Sequence, residues 1–453
     1  MNSLQPLIEK LFLTAHKYPD KVAIITPIVT LTYKQLWNRI SNIARHLNRL
    51  GASRRNRIVV TPPVGVSWIA SYFAVHAIGA VVIPNAAEVD YESDFIFSLG
   101  DFTLSSVNPS TTDNTERCYY PTCFINDPAD ILFTSGTTGI PKAAVLTHRN
   151  IASAAENTSQ FLMMREDHVE VVHLPLHLSF GLGRVRCMAH IGHTLVLSTG
   201  KHPGIIAKTI ATHEATGFAT VPAIIELLLL LPKEQLRPLK NLHYIELGSA
   251  PMRRQTKEKL MQLLPDTRIC HHYGSTEASR SAFIEYHRDA VKLDSIGKPS
   301  PNVEMRIQDG EILVRGDMVM KEYVNRLDLT QSAIRDGWFY TGDLGYKDED
   351  GYFYLTGRKD NIINTVGRKV HAEEVEAALN SFPGIRESAC VGVPDFLLGN
   401  QIKAFFVSED PIDMPALIHH LRFRLAEYKI PTLWQTVESI PKTESGKIQR
   451  HLL

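Results

Sequence analysis

The chain has 453 residues, room for one large domain with a small one, or for three of ordinary size. Lys plus Arg and Asp plus Glu both number 48, so the basic imbalance of a nucleic-acid binder is missing. Hydrophobic residues at 44% and charged residues at 21% are the proportions of a globular protein with a well-filled core.

The five cysteines, Cys118, Cys123, Cys187, Cys270 and Cys390, are odd in number and make no CxxC pair. Reduced, mostly buried thiols in a cytoplasmic protein are the expectation. The first residues carry charges and a proline too early for a secretory h-region. No apolar run reaches the roughly 18 residues of a membrane span. The most apolar stretch, IIELLLLLP at 224–232, is predicted to be a buried helix.

In chain order, a helical opening leads to VAIIT and then to the amphipathic run YKQLWNRISNIARHL. Short apolar runs follow (RIVVTPP, AVVIP, DILFTS, EVVHLP, TLVLS), alternating with helix-length segments to about residue 250. That rhythm predicts an α/β fold with mostly parallel, doubly wound sheets. After about 290, Gly and Pro turns separate alternating runs, which predicts a small antiparallel or barrel-like section. The last ninety or so residues begin afresh as helix, two strands and helix. The expected division is a large domain at 1–359 and a small α+β domain at 360–453.

Four candidate sites carry chemistry. Thr134-Ser135-Gly136-Thr137-Thr138-Gly139-Ile-Pro-Lys142 follows the apolar run DILF. Its hydroxyls, glycine N–H groups and closing lysine suit phosphate oxygens, although a flexible hairpin loop explains the composition too. It is not a Walker A loop, whose spacing differs. In His271-His272-Tyr273-Gly274-Ser275-Thr276-Glu277 a flat ring is followed by a hydroxyl and a hard oxygen ligand suited to magnesium. Gly248-Ser249-Ala250-Pro251, just upstream, would let backbone approach a planar ring. In GWFYTGDLG, Asp343 could accept from both hydroxyls of a ribose, with Arg358 of TGRKD beside it. Near the end, Lys447 closes PKTESGK. Singly, each string is also an ordinary turn or a solvated charge.

Together and in this order, TSGTTGIPK, YGSTE, GWFYTGDLG, GRKDNII and KTESGK resemble the adenylate-forming superfamily: acyl- and aryl-CoA synthetases, adenylation domains of peptide synthetases, and luciferases. The resemblance spans nearly the whole chain. It implies that 134–142 holds the β- and γ-phosphates of ATP, that Gly248–Pro251 and Tyr273 flank the adenine, and that His272, Gly274 and Ser275 belong to the same nucleotide site. Thr276 would contact the α-phosphate, Glu277 would help bind Mg2+, and Asp343 with Arg358 would hold the ribose. Lys447 would bridge carboxylate and α-phosphate oxygens. Asp360 matches the hinge, and Gly367 and Lys369 lie on the side offered to the thiol after the small domain turns.

The implied reaction is activation of a carboxylic acid to acyl-AMP, then transfer to coenzyme A or to the phosphopantetheine arm of a carrier protein. A non-catalytic nucleotide-binding module is the reading from another class, and intact Lys142, Thr276, Glu277, Asp343 and Lys447 argue against it. His177, Phe180 and Gly274 are the expected acid pocket. Many relatives place the pocket histidine where Leu178 stands, and no aspartate for an α-amino group occurs in HLPLHLSFG. The chain is also short for the family around 85–130. Neither nucleic acid nor a membrane span is expected among its partners.

Overall fold

A computed structural model describes residues 4–61, 65–84, 121–134, 142–198, 200, 202–365, 368–395, 399–443 and 446–453. The chain divides into two compact units. The first is Met1–Thr134, Pro141–Glu304 and Val314–Phe339; the second is Ser135–Ile140, Met305–Leu313 and Tyr340–Leu453.

The first unit holds strands β1 (Val22–Ile25), β2 (Thr30–Thr32), β3 (Arg57–Val59), β4 (Val81–Ile83), β5 (Pro128–Thr134), β6 (Lys142–Thr147), β7 (Val169–Val172) and β8 (Thr194–Leu197). It continues through β9 (Gly217–Thr220), β10 (Tyr244–Leu247), β11 (Arg268–Tyr273), β12 (Ala282–Glu285) and β13 (Lys298–Pro299). One sheet has nine strands in the order β13-β12-β11-β10-β9-β7-β8-β1-β2. Its centre, from β1 through β8, β7, β9 and β10 to β11, is parallel. Strands β14 (Val303–Gln308), β15 (Glu311–Gly316) and β16 (Glu322–Tyr323) come next in the chain. A second sheet in this unit runs β16-β6-β5-β4-β3. The alternation read from the sequence becomes layers of helix and sheet, as expected.

Three helices are buried over most of their length: α1 (Val66–Ala77), α2 (His148–Phe161) and α3 (Ser179–Ile191). A helix without a polar face belongs inside a fold, and two of these carry apolar and small residues almost throughout. Thr147 caps α2 by accepting from the Asn150 N–H while the Asn150 side chain accepts from the Thr147 N–H. Gly192 ends α3 in the left-handed region (φ 83°). The stretch at 224–232 is helical only over Pro222–Leu228, with Ile224, Ile225 and Leu228 buried and Leu230 80% exposed. It presents one apolar face to the core and is not buried all round.

In the second unit β18 (Trp338–Lys347), which follows β17 (Ile334–Arg335), pairs antiparallel with β19 (Phe353–Arg358). Strands β20 (Ile362–Thr365) and β21 (Arg368–His371) form a hairpin, and β22 (Ile385–Asp395), β23 (Gly399–Ser408) and β24 (Leu433–Thr436) form a three-stranded sheet. Helices Ala372–Asn380 and Met414–Arg422 pack on it through Val375, Leu379, Leu417 and Leu421. The second of the two expected helices ends at Arg422, and the turn that follows brings Tyr428 and Ile430 onto the same core. Cys123, Cys187, Cys270 and Cys390 are buried free thiols, and Cys118 lies outside the described residues. Among the described residues no helix is long and apolar enough to cross a membrane.

Candidate active site

Strands β5 and β6 deliver the first expected site. Thr134 and Lys142 are partners across this antiparallel pair; Ser135, Gly136, Thr137, Thr138 and Gly139 lie outside the described residues. On the far side of β6, β16 pairs Tyr323 with Ala144. The Tyr323 ring lies 5.7 Å from Lys142 Nζ, and its hydroxyl donates to Glu277 Oε1 at 2.9 Å. The Glu277 carbonyl in turn accepts from the Met320 N–H at 2.7 Å. Lys142 and Glu277, 135 positions apart in sequence, therefore meet around a tyrosine that no sequence motif singled out.

The second site forms where parallel strands β10 and β11 end side by side, with Leu247 opposite His271. A Cβ on Gly248 would stand 2.1 Å from the His272 ring, so glycine is required for the two strand ends to approach. Ser249 follows with φ 74°. The Ala250 carbonyl lies 3.0 Å from His271 Nε2, fastening the Gly248–Pro251 turn to the His272–Tyr273 side. The chain then folds back: Ser275 N–H donates to the Ala278 carbonyl at 3.2 Å, and a Cβ on Gly274 would lie 2.6 Å from the Arg280 nitrogen. Thr276 and Glu277 occupy the tip of that turn. In the expected acid pocket, Phe180 opens α3 and meets the His272 ring edge-on at 4.7 Å. His177 precedes α3, while His173 Nε2 lies 2.8 Å from Thr220 Oγ1.

Beneath these loops runs a layer of buried charge. Arg184 of α3 donates from Nε to Glu170 Oε1 at 2.6 Å and from Nη2 to Oε2 at 3.1 Å, and its Nη1 bonds Glu246 Oε2. Glu246 also meets Arg280 Nε at 3.3 Å and lies 2.9 Å from His272 Nδ1; Glu170 pairs with His193 at 2.9 Å. Burial alone would raise the pKa of Glu246, but Arg184 and Arg280 hold it well below the carboxylate range. Arg186, two residues along the same helix, reaches the other sheet: Nη2 bonds Asp130 Oδ2 at 2.5 Å, joined by Tyr72 at 3.0 Å and His76 at 3.0 Å. Against its burial, Arg186 and His76 bring Asp130 down to about 2. One helix thus ties the strand leading to Thr134 to the strand leading to Gly248. Arginines at 184 and 186 inside an otherwise small and apolar run were the signal available in sequence, together with lone acids in the strands ADILF, EVV and YIEL.

Burial also lowers His148 and His271 to about 3 each. The unfolded chain takes up protons on these imidazoles near pH 6.5, whereas the folded protein does so only near pH 3. Between those values the unfolded state holds more protons, so stability falls as pH falls, by about 1.4 kcal/mol per pH unit for each such histidine. Asp130 has the same sign in a lower window, its stabilisation being complete above its unfolded value and lost as pH falls toward about 2. The thermal midpoint is therefore expected to drop steadily from pH 6.5 to 5, with a shallower slope in His148→Asn. A midpoint independent of pH over that range would refute neutral burial of these rings.

In the second unit Asp343 and Arg358 stand opposite each other on β18 and β19, and Arg358 Nη1 bonds Asp343 Oδ1. Arg358 Nη2 lies 3.7 Å from Asp360 Oδ2, so one guanidinium joins both expected ribose residues to the expected hinge. Lys369 is on β21, opposite Asn364, and Gly367 lies outside the described residues. Lys447 sits on a short hairpin whose base is the Lys442–Ile448 bridge. Among the described residues no group of three or more His, Cys, Asp or Glu could hold a metal ion by itself.

The model of the AMP-binding enzyme family matches residues 11–93 and 99–324, and that of the AMP-binding enzyme C-terminal domain matches 374–447. A 2-succinylbenzoate–CoA ligase of Bacillus mycoides is 28% identical over 99% of this chain and 97% of its own. A long-chain-fatty-acid–CoA ligase of Bacillus subtilis is 28% identical over 97% of this chain and 92% of its own. The structure of o-succinylbenzoate CoA synthetase from Bacillus subtilis, in complex with the acyl-adenylate intermediate, superposes with a TM-score of 0.87 at 25% identity, covering 99% of this chain and 97% of that one. With family models matching well over half its residues, and with the ordered motifs laid on this α/β fold, the chain belongs to the AMP-binding enzyme family of the adenylate-forming superfamily.

Proposed function

We propose that the protein is an acid–thiol ligase acting in two half-reactions. A carboxylate oxygen attacks the α-phosphorus of ATP, the bond to the bridging oxygen breaks, and pyrophosphate leaves. A thiol sulfur, that of coenzyme A on this reading, then attacks the acyl carbon; AMP departs and the thiol proton passes to water. The relatives named as CoA ligases support the acceptor.

The observation that carries the reading is the meeting of Lys142, Tyr323 and Glu277 beside Thr276. A cation and a carboxylate on either side of one tyrosine suit a triphosphate and its counter-ion. Glu277 gives a single hard oxygen, which is how Mg2+ is commonly held when phosphates supply the rest of its shell. Bound there, Mg2+ would neutralise the leaving pyrophosphate. Lys142 stabilises phosphate charge, Thr276 offers a hydroxyl to the α-phosphate, and the Gly248–Pro251 turn with Tyr273 receives the adenine. Asp343 and Arg358 take the ribose. Residues 1–359 act as the adenylating domain, and 360–453 supply Lys447 to the first half-reaction and Gly367 with Lys369 to the second, turning about Asp360.

Acid-dependent exchange of labelled pyrophosphate into ATP tests the first half-reaction; transfer to coenzyme A against transfer to a carrier protein tests the second. Folded, ATP-binding protein that exchanges with no acid would refute the proposal. Tyr323→Phe frees the Glu277 carboxylate from its hydrogen bond and is expected to slow exchange about tenfold, or about 1.4 kcal/mol in barrier. Equal rates in the two proteins would remove Tyr323 from the site.

A further inference from the structure

Arg280 is 2% exposed, yet it follows the Thr276–Glu277 tip by only a few residues. Its backbone has φ 56°, in the left-handed region that non-glycine residues rarely occupy. Such a conformation persists only where the surroundings impose it, and it commonly marks a functional position. Here it turns the side chain inward. Nη2 donates to the Phe180 carbonyl at 3.2 Å, Nη1 to the Ser179 carbonyl at 3.3 Å, and Nε to Glu246 Oε1 at 3.3 Å. The guanidinium lies 5.3 Å from the centre of the Phe180 ring. It also presses on α3 so closely that a Cβ on Gly183 would stand 2.4 Å from Nη2. Behind it, Glu246 and Arg184 continue the layer of buried charge.

His177, Phe180 and Gly274 are the walls expected to receive the acid. The Arg280 guanidinium packs directly against Phe180 and α3 at this wall. A methylene chain pushed past Phe180 would have to displace a buried, hydrogen-bonded cation and leave Glu246 with one arginine fewer, which apolar burial does not offset. A short acid would stop in front of Arg280, and a polar or anionic far end would meet a positively charged wall in place of an apolar one. We infer that Arg280 is the specificity-determining residue that closes the acid pocket, so that the substrates are short acids or acids ending in polar groups and not long unbranched fatty acids.

This rests on the activation reading above. The test is pyrophosphate exchange with acetate, hydroxybutyrate, succinate and benzoate set against decanoate and palmitate, on the wild type and on Arg280→Met. Methionine keeps the apolar volume of the side chain without its charge, and Glu246 retains Arg184. The wild type is expected to favour its best short or polar acid by about a hundredfold or more in kcat/KM. Arg280→Met is expected to gain about tenfold on decanoate while losing on the short acids. A gain of activity cannot come from misfolding; should the single variant be unstable, Arg280→Met/Glu246→Gln removes the opposing charge and is expected to show the same gain. Exchange by the wild type with palmitate as good as with any short acid would overturn the inference and leave the activation reading standing. So would variants that fold and still exchange with short acids but gain nothing on decanoate. Exchange with no acid would overturn both.

Discussion

Lys447→Ala is expected to lower adenylate formation by about 10²–10³-fold or more, the range set by removing one preorganised donor at developing charge, while thioester formation from supplied acyl-AMP continues at nearly the wild-type rate. Adenylation brings two anions together, and a fixed cation lowers the barrier only if it is held in place beforehand. The chain holds this lysine by local means. Thr443 N–H donates to the Lys447 carbonyl at 2.8 Å, Lys447 N–H to Thr443 Oγ1 at 3.1 Å, and Gly446 completes the turn with φ 85°. Three residues on, Arg450 Nη2 donates to both oxygens of Glu376 at 2.8 Å, and Glu376 Oε1 also accepts from the Cys390 N–H at 2.7 Å. The hairpin is thus anchored on helix Ala372–Asn380 and on β22. Lys442 at its other end pairs with Glu387 across a half-exposed surface, where an ion pair contributes about 1 kcal/mol at most. Lys442→Ala is therefore the control, expected to leave both half-reactions nearly unchanged. Equal loss of both half-reactions in Lys447→Ala would remove the lysine from its assigned step.

Arg184→Leu is expected to destabilise the protein by about 3–5 kcal/mol, the cost of leaving a buried partner uncompensated, read as a lowered urea midpoint. The side chain is fully buried, as are Glu170 and Glu246, and it satisfies both carboxylates. Arg280 and His272 still face Glu246 in the variant, but among the described residues Glu170 keeps only His193. Changing Glu170 to leucine in the same protein should recover part of the loss, since removing both partners spares the desolvation penalty of an orphan, with a coupling above about 1 kcal/mol. Strictly additive losses would show that the pair does not act as a unit. Activity should suffer as well, because α3 also carries Arg186 to Asp130 on the strand that ends at Thr134.

The alternation of short apolar runs with helical segments already determined the α/β class, because strand and helix periods are written in neighbouring residues. The order of TSGTTGIPK, YGSTE, GWFYTGDLG, GRKDNII and KTESGK determined the family for a similar reason: each is a short string whose chemistry lies within a few neighbouring positions. Gly248 shows both levels at once. Its place in a tight turn was legible, but that its missing side chain makes room for the His272 ring was not. Only the tertiary structure decided which distant residues complete the sites that these strings begin. Tyr323 reaches Glu277 across 46 positions, and Arg184 reaches Glu246 across 62. Arginines in an apolar helix and acids in apolar strands stand against the preference of each residue taken alone, since a buried charge is tolerable only beside its counter-charge. That partner is set by how the sheets and α3 pack, so the layer of buried charge, unlike the short strings, was decided in three dimensions.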